Sequence, residues 1–233
     1  MFPINQLVPM GSVLALPNKV VTRLRSTGSG VSESNKFTTI LRGVNCSYTE
    51  SLFAAEIKNE LCSIDRKFAE IDYNYRQLLP YVVFVCTTTR RVLNYKRGKA
   101  GSESRLHDLR SIGFGGHIDS QLDYYSEAHY RYQFDKIIFD NIKREVQEEL
   151  GWDTIEPSIK QFEGLLISNN PDPKEVGHYH LGMLFIIQAD SRFTIQPEEG
   201  NVELPEWVSI DELDQLNLEP WSHAVKPVLN KYL

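Results

Sequence analysis

The chain is poor in cysteine, has no excess of positive charge and contains no long apolar run. Only Cys46, Cys62 and Cys86 occur among 233 residues, and no two have Cys-x-x-Cys spacing. That argues against a disulfide framework or a thiolate zinc site and fits a reducing compartment. No stretch is apolar enough for long enough to span a bilayer. The mildly apolar segment 7–16 contains Pro9 and Gly11 with no basic residue before it, so it does not read as a signal peptide. A soluble cytoplasmic protein without a membrane partner is the expectation. Lys and Arg number 25 against 31 Asp and Glu, a net charge of -6. General nucleic-acid binders are usually basic, so that class is not expected. A local cation cluster or a metal ion can still bring an anionic substrate to an acidic protein.

What is present is an ordinary globular balance, 41% apolar and 24% charged. Residues 1–36 stand apart: Pro3, Pro9 and Pro17 precede the polar run Ser26 to Ser34. They read as an N-terminal extension, partly flexible and loosely docked. A single domain is expected over 37–233. Thr49 to Ile64 has roughly helical apolar spacing. Leu79 to Cys86 is a nearly continuous apolar run and reads as a buried strand, followed by a second strand at Val92 to Tyr95. Phe162 to Ile167 and Tyr179 to Ile187 also read as strands, and Trp221, Val225, Val228 and Leu229 form a helical stripe. The expected class is α/β with a mixed sheet.

The informative segment is Arg144-Glu145-Val146-Gln147-Glu148-Glu149-Leu150-Gly151-Trp152. On a helix, Glu145, Glu148 and Glu149 share one side. Ile138, Ile142, Val146 and Leu150 form a stripe on the other, suited to docking on a sheet, and Gly151 is a natural stop. Three crowded carboxylates repel one another, and a divalent cation removes that repulsion. Carboxylate oxygens suit Mg2+ or Mn2+, which share substrate phosphates and can activate water. A solvated acidic face is the plain alternative.

The segment resembles the second half of the Nudix box, G-x5-E-x7-R-E-U-x-E-E-x-G-U with U apolar. Arg144, Glu145, Val146, Glu148, Glu149, Gly151 and Trp152 fit it position by position. The first half departs. The nearest suitable glycines are Gly115 and Gly116, the connection to Arg144 is much longer than in the box, and Lys136 stands where the first Glu belongs. An insertion at about 119–134 is implied, with Asp119, Asp123, Glu127 and Asp135 as nearby acids. The segments Gln77 to Val83, Tyr95 to Gly98, Ser104 to His107, Ser111 to Ile118 and His180 to Gly182 are similar to a bacterial and phage predicted-phosphoesterase subgroup of the Nudix hydrolases.

The resemblance implies an α/β/α sandwich and Mg2+- or Mn2+-dependent cleavage of a phosphoanhydride in a nucleoside diphosphate derivative. It implies Glu145, Glu148 and Glu149 as metal carboxylates, the Gly116 carbonyl as a further ligand and Arg144 as the group that orients the acids. Arg97, Arg105 and His117 are the candidate substrate contacts. The general base stays open between Glu145 and an acid such as Glu175, and a homodimer stays open too. The competing reading is a catalytically weak Nudix-fold module for nucleotide binding or regulation. Two lesser signals remain: His178 and His180, taken to alternate on one strand, and the aromatic run Tyr124, Tyr125, His129, Tyr130, Tyr132 and Phe134, which can stack on a base or pack the insertion.

Overall fold

Alternate residues of one long strand build both halves of the core. In Tyr75–Cys86, Leu78, Val82 and Phe84 join one apolar cluster, whereas Tyr81, Val83 and Val85 join a second. Successive side chains of a strand point to opposite faces, so this strand carries helices on both. The computed structural model describes residues 11–27, 33–34, 38–41, 53, 55–98, 106–120, 127–168, 172, 175–197 and 202–233. The strands are β1 (Ser12–Pro17), β2 (Glu33–Ser34), β3 (Thr38–Leu41), β4 (Cys62–Asp65), β5 (Tyr75–Cys86), β6 (Arg91–Arg97), β7 (Arg110–Ser111), β8 (Gly113–Phe114), β9 (Phe162–Ser168), β10 (His180–Gln188) and β11 (Val202–Val208). The helices are α1 (Asn18–Thr27), α2 (Ala55–Lys58), α3 (Arg66–Ala69), α4 (Glu127–Leu150), α5 (Ile210–Leu213) and α6 (Pro220–Val225).

The sheet runs β11-β6-β5-β10-β9-β3-β2, with β1, β4, β7 and β8 attached to its side. The central pair β5–β10 is parallel, and Gln77 faces His180 in its register. The neighbouring pairs β5–β6 and β9–β10 are antiparallel. The sheet is therefore mixed. Ile138, Ile142, Val146 and Leu150 of α4 are wholly buried on one face against Leu181, Met183 and Phe185 of β10 and their neighbours. Val225, Val228 and Leu229 cover the other face with Leu213. This is the expected α/β/α layering. Gly151 ends α4 with a φ of 72°, a conformation that an L side chain rarely adopts.

Two expectations change. The loosely docked arm fails for residues 12–27. Val13 to Leu16 are at most 1% exposed, and β1 pairs antiparallel with both β4 and β5. Pro17 closes that strand and does not disrupt it, because proline is tolerated at a strand end. The helix expected across 49–64 is confined, among the described residues, to α2. Cys62–Asp65 is drawn into a strand by the pairing groups of β1. Cys62 and Cys86 are both free thiols; Cys46 lies outside the described residues.

For the insertion, one of the two readings of its aromatic run is decided at Phe134. Tyr124 and Tyr125 lie outside the described residues, but from Glu127 onward the segment is the start of α4. Phe134 is fully buried, stacked on Phe53 with ring centroids 5.2 Å apart, and Asp135 pairs with Lys58. Phe134 is thus a core residue and not a base-stacking surface. Phe134→Ala should cost roughly 3–5 kcal/mol, read as a lower Tm, with KM for substrate unchanged. A normal Tm would contradict that placement.

Candidate active site

A cavity of about 340 Å3 opens above the β5–β10 pair. One wall is the polar side of α4: Arg144, Glu145, Glu148 and Glu149. The same turns that bury Val146 and Leu150 aim these residues away from the sheet. Arg144 spans two of the acids, donating from Nη2 to Glu145 Oε1 at 2.5 Å and from Nη1 to Glu148 Oε2 at 2.8 Å. These carboxylates keep the guanidinium above its ordinary pKa, against the opposing effect of burial, the largest single influence. Glu149 is turned inward, only 9% exposed, and its Oε2 accepts the Gly115 N–H at 2.9 Å.

Gly115 and Gly116 lie directly beneath this wall. Gly115 has a φ of 135°, and a Cβ there would meet the Pro80 carbonyl oxygen at 2.2 Å. A Cβ on Gly116 would lie 2.5 Å from Glu145 Oε1. Glycine is needed for the backbone to approach the carboxylate this closely. Gly116→Ala must push the Glu145 carboxylate aside. The expected result is a loss of turnover of at least tenfold, from misplacement of a group at the reaction centre, with the fold retained by circular dichroism. Wild-type kinetics in this variant would show that the close approach is irrelevant.

The remaining walls bring in distant segments. His117 follows the glycines, and its carbonyl accepts from Asn141 Nδ2 at 3.0 Å and Arg144 Nη2 at 3.4 Å. His117 Nε2 lies 3.3 Å from His180 Nε2. Burial above all, then His180 and Arg66, pushes the His117 pKa down to about 2, so this imidazole is neutral at physiological pH. His180 opens β10 and lines the cavity, while His178 lies in the preceding 3-10 turn Val176–His178 and meets Tyr73 edge-on at 4.9 Å. The two do not alternate on one strand as expected, because β10 begins only at His180. Arg97 lines the same cavity with Tyr95, Tyr81, Glu219 and Trp221. Asp119 and Glu175 also reach the cavity. Of the acids near the missing first Glu, Asp119 is at the site, Asp135 is engaged by Lys58, and Asp123 lies outside the described residues.

The structure thus assembles Arg97, Gly116, His117, Arg144, Glu145, Glu148 and Glu149 around one cavity. Arg105 lies outside the described residues. The neighbouring cations Lys96 and Arg110 are tied to surface partners, Lys96 to Asp108 and Arg110 to Glu206. Glu219 was not foreseen. It stands before Pro220 in a segment whose pattern shows only a helix start, and nothing in its spacing links it to Tyr81 or Arg97.

No family model matches the chain. Protein YmaB of Bacillus subtilis strain 168 is 32% identical over 190 residues, which span 78% of this chain and 86% of that protein. The crystal structure of Tm1382, assigned to the Nudix hydrolases, superposes over 95% of this chain and 100% of its own, with 26% identity and a TM-score of 0.63. The chain belongs to the Nudix hydrolase superfamily. A NUDIX-family hydrolase from Clostridium perfringens aligns more loosely, over 66% of this chain at 20% identity with a TM-score of 0.42. The Nudix assignment accounts for the order of parts seen here: a glycine pair at the end of β8, then a glutamate-bearing helix, both above the centre of a mixed sheet. Among the described residues, no helix is long and apolar enough to cross a membrane.

Proposed function

We propose that this Nudix hydrolase cleaves a phosphoanhydride bond in a nucleoside diphosphate derivative, with Mg2+ or Mn2+ as cofactor. The observation that carries this reading is the one cavity shared by Glu145, Glu148 and Glu149 with Gly116 and Arg97. Among the described residues, no three His, Cys, Asp or Glu side chains are drawn together closely enough to hold a metal as they stand. Arg144 instead spans Glu145 and Glu148, and Glu149 turns to Gly115. The donor chemistry nevertheless fits a hard divalent cation: three carboxylates on one helix wall, and a glycine backbone packed against Glu145. Glu145, Glu148, Glu149 and the Gly116 carbonyl would hold it. When bound, such a cation neutralises phosphate charge, lowers the pKa of water and stabilises the leaving phosphate.

The chain's own residues have separate tasks in this reading. Arg144 holds the carboxylates apart and oriented. Arg97 takes a phosphate oxygen. The neutral His117 supplies an uncharged neighbour beside the glycines and leaves the positive charge to Arg97 and Arg144. Asp119 and Glu175 are the acids placed to orient an attacking water. The test is a phosphate-release screen over nucleoside diphosphate derivatives, with and without Mg2+. Metal-dependent release from at least one compound is expected. Binding without release from any of them would favour a regulatory module.

A further inference from the structure

Glu219 is a buried carboxylate in the lining of the same cavity, 4% exposed. It occupies the N-cap position of α6 but makes no side-chain cap hydrogen bond. Its Oε1 instead accepts three hydroxyl groups: Ser111 Oγ at 2.7 Å, Tyr81 Oη at 2.8 Å and Ser222 Oγ at 3.3 Å. Those donors come from β7, β5 and α6, so three separate elements lock one oxygen in place. The carboxylate cannot turn without surrendering all three bonds. Its other oxygen, Oε2, stands 4.0 Å from Arg97 Nη1.

That arrangement does something specific to Arg97. A carboxylate taken out of water needs compensation, which the three hydroxyls and the guanidinium provide. At 4.0 Å, though, the guanidinium is attracted without spending a hydrogen bond. Among the described residues Arg97 makes one side-chain hydrogen bond, from Nη1 to Tyr95 Oη at 3.4 Å. A guanidinium has five N–H donors. Most therefore stay available, among the described residues, on a side chain that Glu219 and Tyr95 hold at the cavity wall. Fixed geometry and open donors are what bidentate recognition of a phosphate requires.

We infer that Glu219 is a positioning residue that holds Arg97 as the anion-gripping group of the cavity. The inference rests on the reading of Arg97 as a phosphate contact and adds the group that aims it. The ligand class is a nucleoside diphosphate, whose phosphates enter the cavity that Arg97 lines.

The experiment uses the full chain with Mg2+ and titrates adenosine α,β-methylene diphosphate, which resists hydrolysis, and adenosine as the phosphate-free control, by calorimetry. Arg97→Ala should weaken the diphosphate about tenfold or more, the loss of a charge-assisted contact. Glu219→Gln keeps the shape and an acceptor oxygen but removes the charge, and should weaken it about threefold to tenfold with adenosine unaffected. In the Arg97→Ala background, Glu219→Gln should add nothing, since a positioning residue acts only through the group it positions. Tyr81→Phe, which frees Oε1 of one donor, should follow Glu219→Gln in milder form and serves if the latter fails to fold. Equal losses for adenosine and the diphosphate, additive losses in the double variant, or no diphosphate binding by the wild-type chain would each overturn the inference. The phosphate-release screen stands apart from this titration, so failure of the hydrolase reading is seen separately.

Discussion

Glu148→Gln and Glu149→Gln should each lower turnover by a factor on the order of a hundred or more, through lost charge stabilisation at the transition state. The two arise from different surroundings. Glu148 is a third exposed and bound to Arg144, itself 42% exposed. An ion pair this open to solvent contributes on the order of 0–1 kcal/mol to folding. Its loss should barely move Tm. Glu149 is buried and accepts the Gly115 N–H, a bond that the amide oxygen of Gln can also accept. Stability should again hold. Relief of repulsion among the three acids, which the sequence alone suggests as a gain, is small because Arg144 already neutralises two of them. Initial rates with Mg2+ and a melting curve on the same samples separate the two effects. Full activity in either variant would remove the glutamate wall from the mechanism.

A chain starting at Asn35 should fail to fold. It lacks β1 and α1, and with them Val13, Leu14, Ala15, Leu16, Val20 and Val21, all at most 2% exposed. Burying one Val or Leu side chain contributes roughly 1.5–3 kcal/mol. Losing five such residues matches the entire 5–15 kcal/mol stability typical of a domain. The damage extends to the site. Leu14 N–H donates to the Ile118 carbonyl and Ser120 N–H to the Ser12 carbonyl, both at 2.9 Å, and Val13 bridges Asp119. These bonds fix the segment just after His117. Soluble expression, circular dichroism and a phosphate-release assay of the shortened chain decide the matter. A folded, active product would mean that β1 is dispensable after all.

Much of this site was legible because helix periodicity is a strong signal. Ile138, Ile142, Val146 and Leu150 follow one another at fixed spacing and are all fully buried, so the opposite side, with Glu145 and Glu148, could be placed without coordinates. The continuous apolar run of β5 was legible for a similar reason. Its two faces are both covered, and a strand buried twice has no polar alternation to confuse it. The misses share a different cause. β1 is bounded by Gly11 and Pro17, which locally spell a loop, and only pairing with β4 and β5 makes it a strand. Cys62–Asp65 turned from helix to strand for the same non-local reason. Glu219 meets Tyr81, Ser111 and Arg97 solely through the sheet topology, and no spacing along the chain encodes such a meeting.

The parallel alignment of β5 with β10 also governs how the protein is made. Gln77 and His180, neighbours across that pair, are 103 residues apart in the chain. Everything between them, including the hairpin to β6 and the whole of α4, must be threaded before the middle of the sheet can close. Contacts between such distant segments form slowly, because loop-closure entropy is lost before the contact gives anything back. During synthesis β5 emerges with two apolar faces and no partner on the β10 side until the C-terminal third has left the ribosome. A nascent chain halted before His180 therefore lacks the partner for one edge of β5, an unpaired strand edge of the kind that makes incomplete chains prone to aggregate.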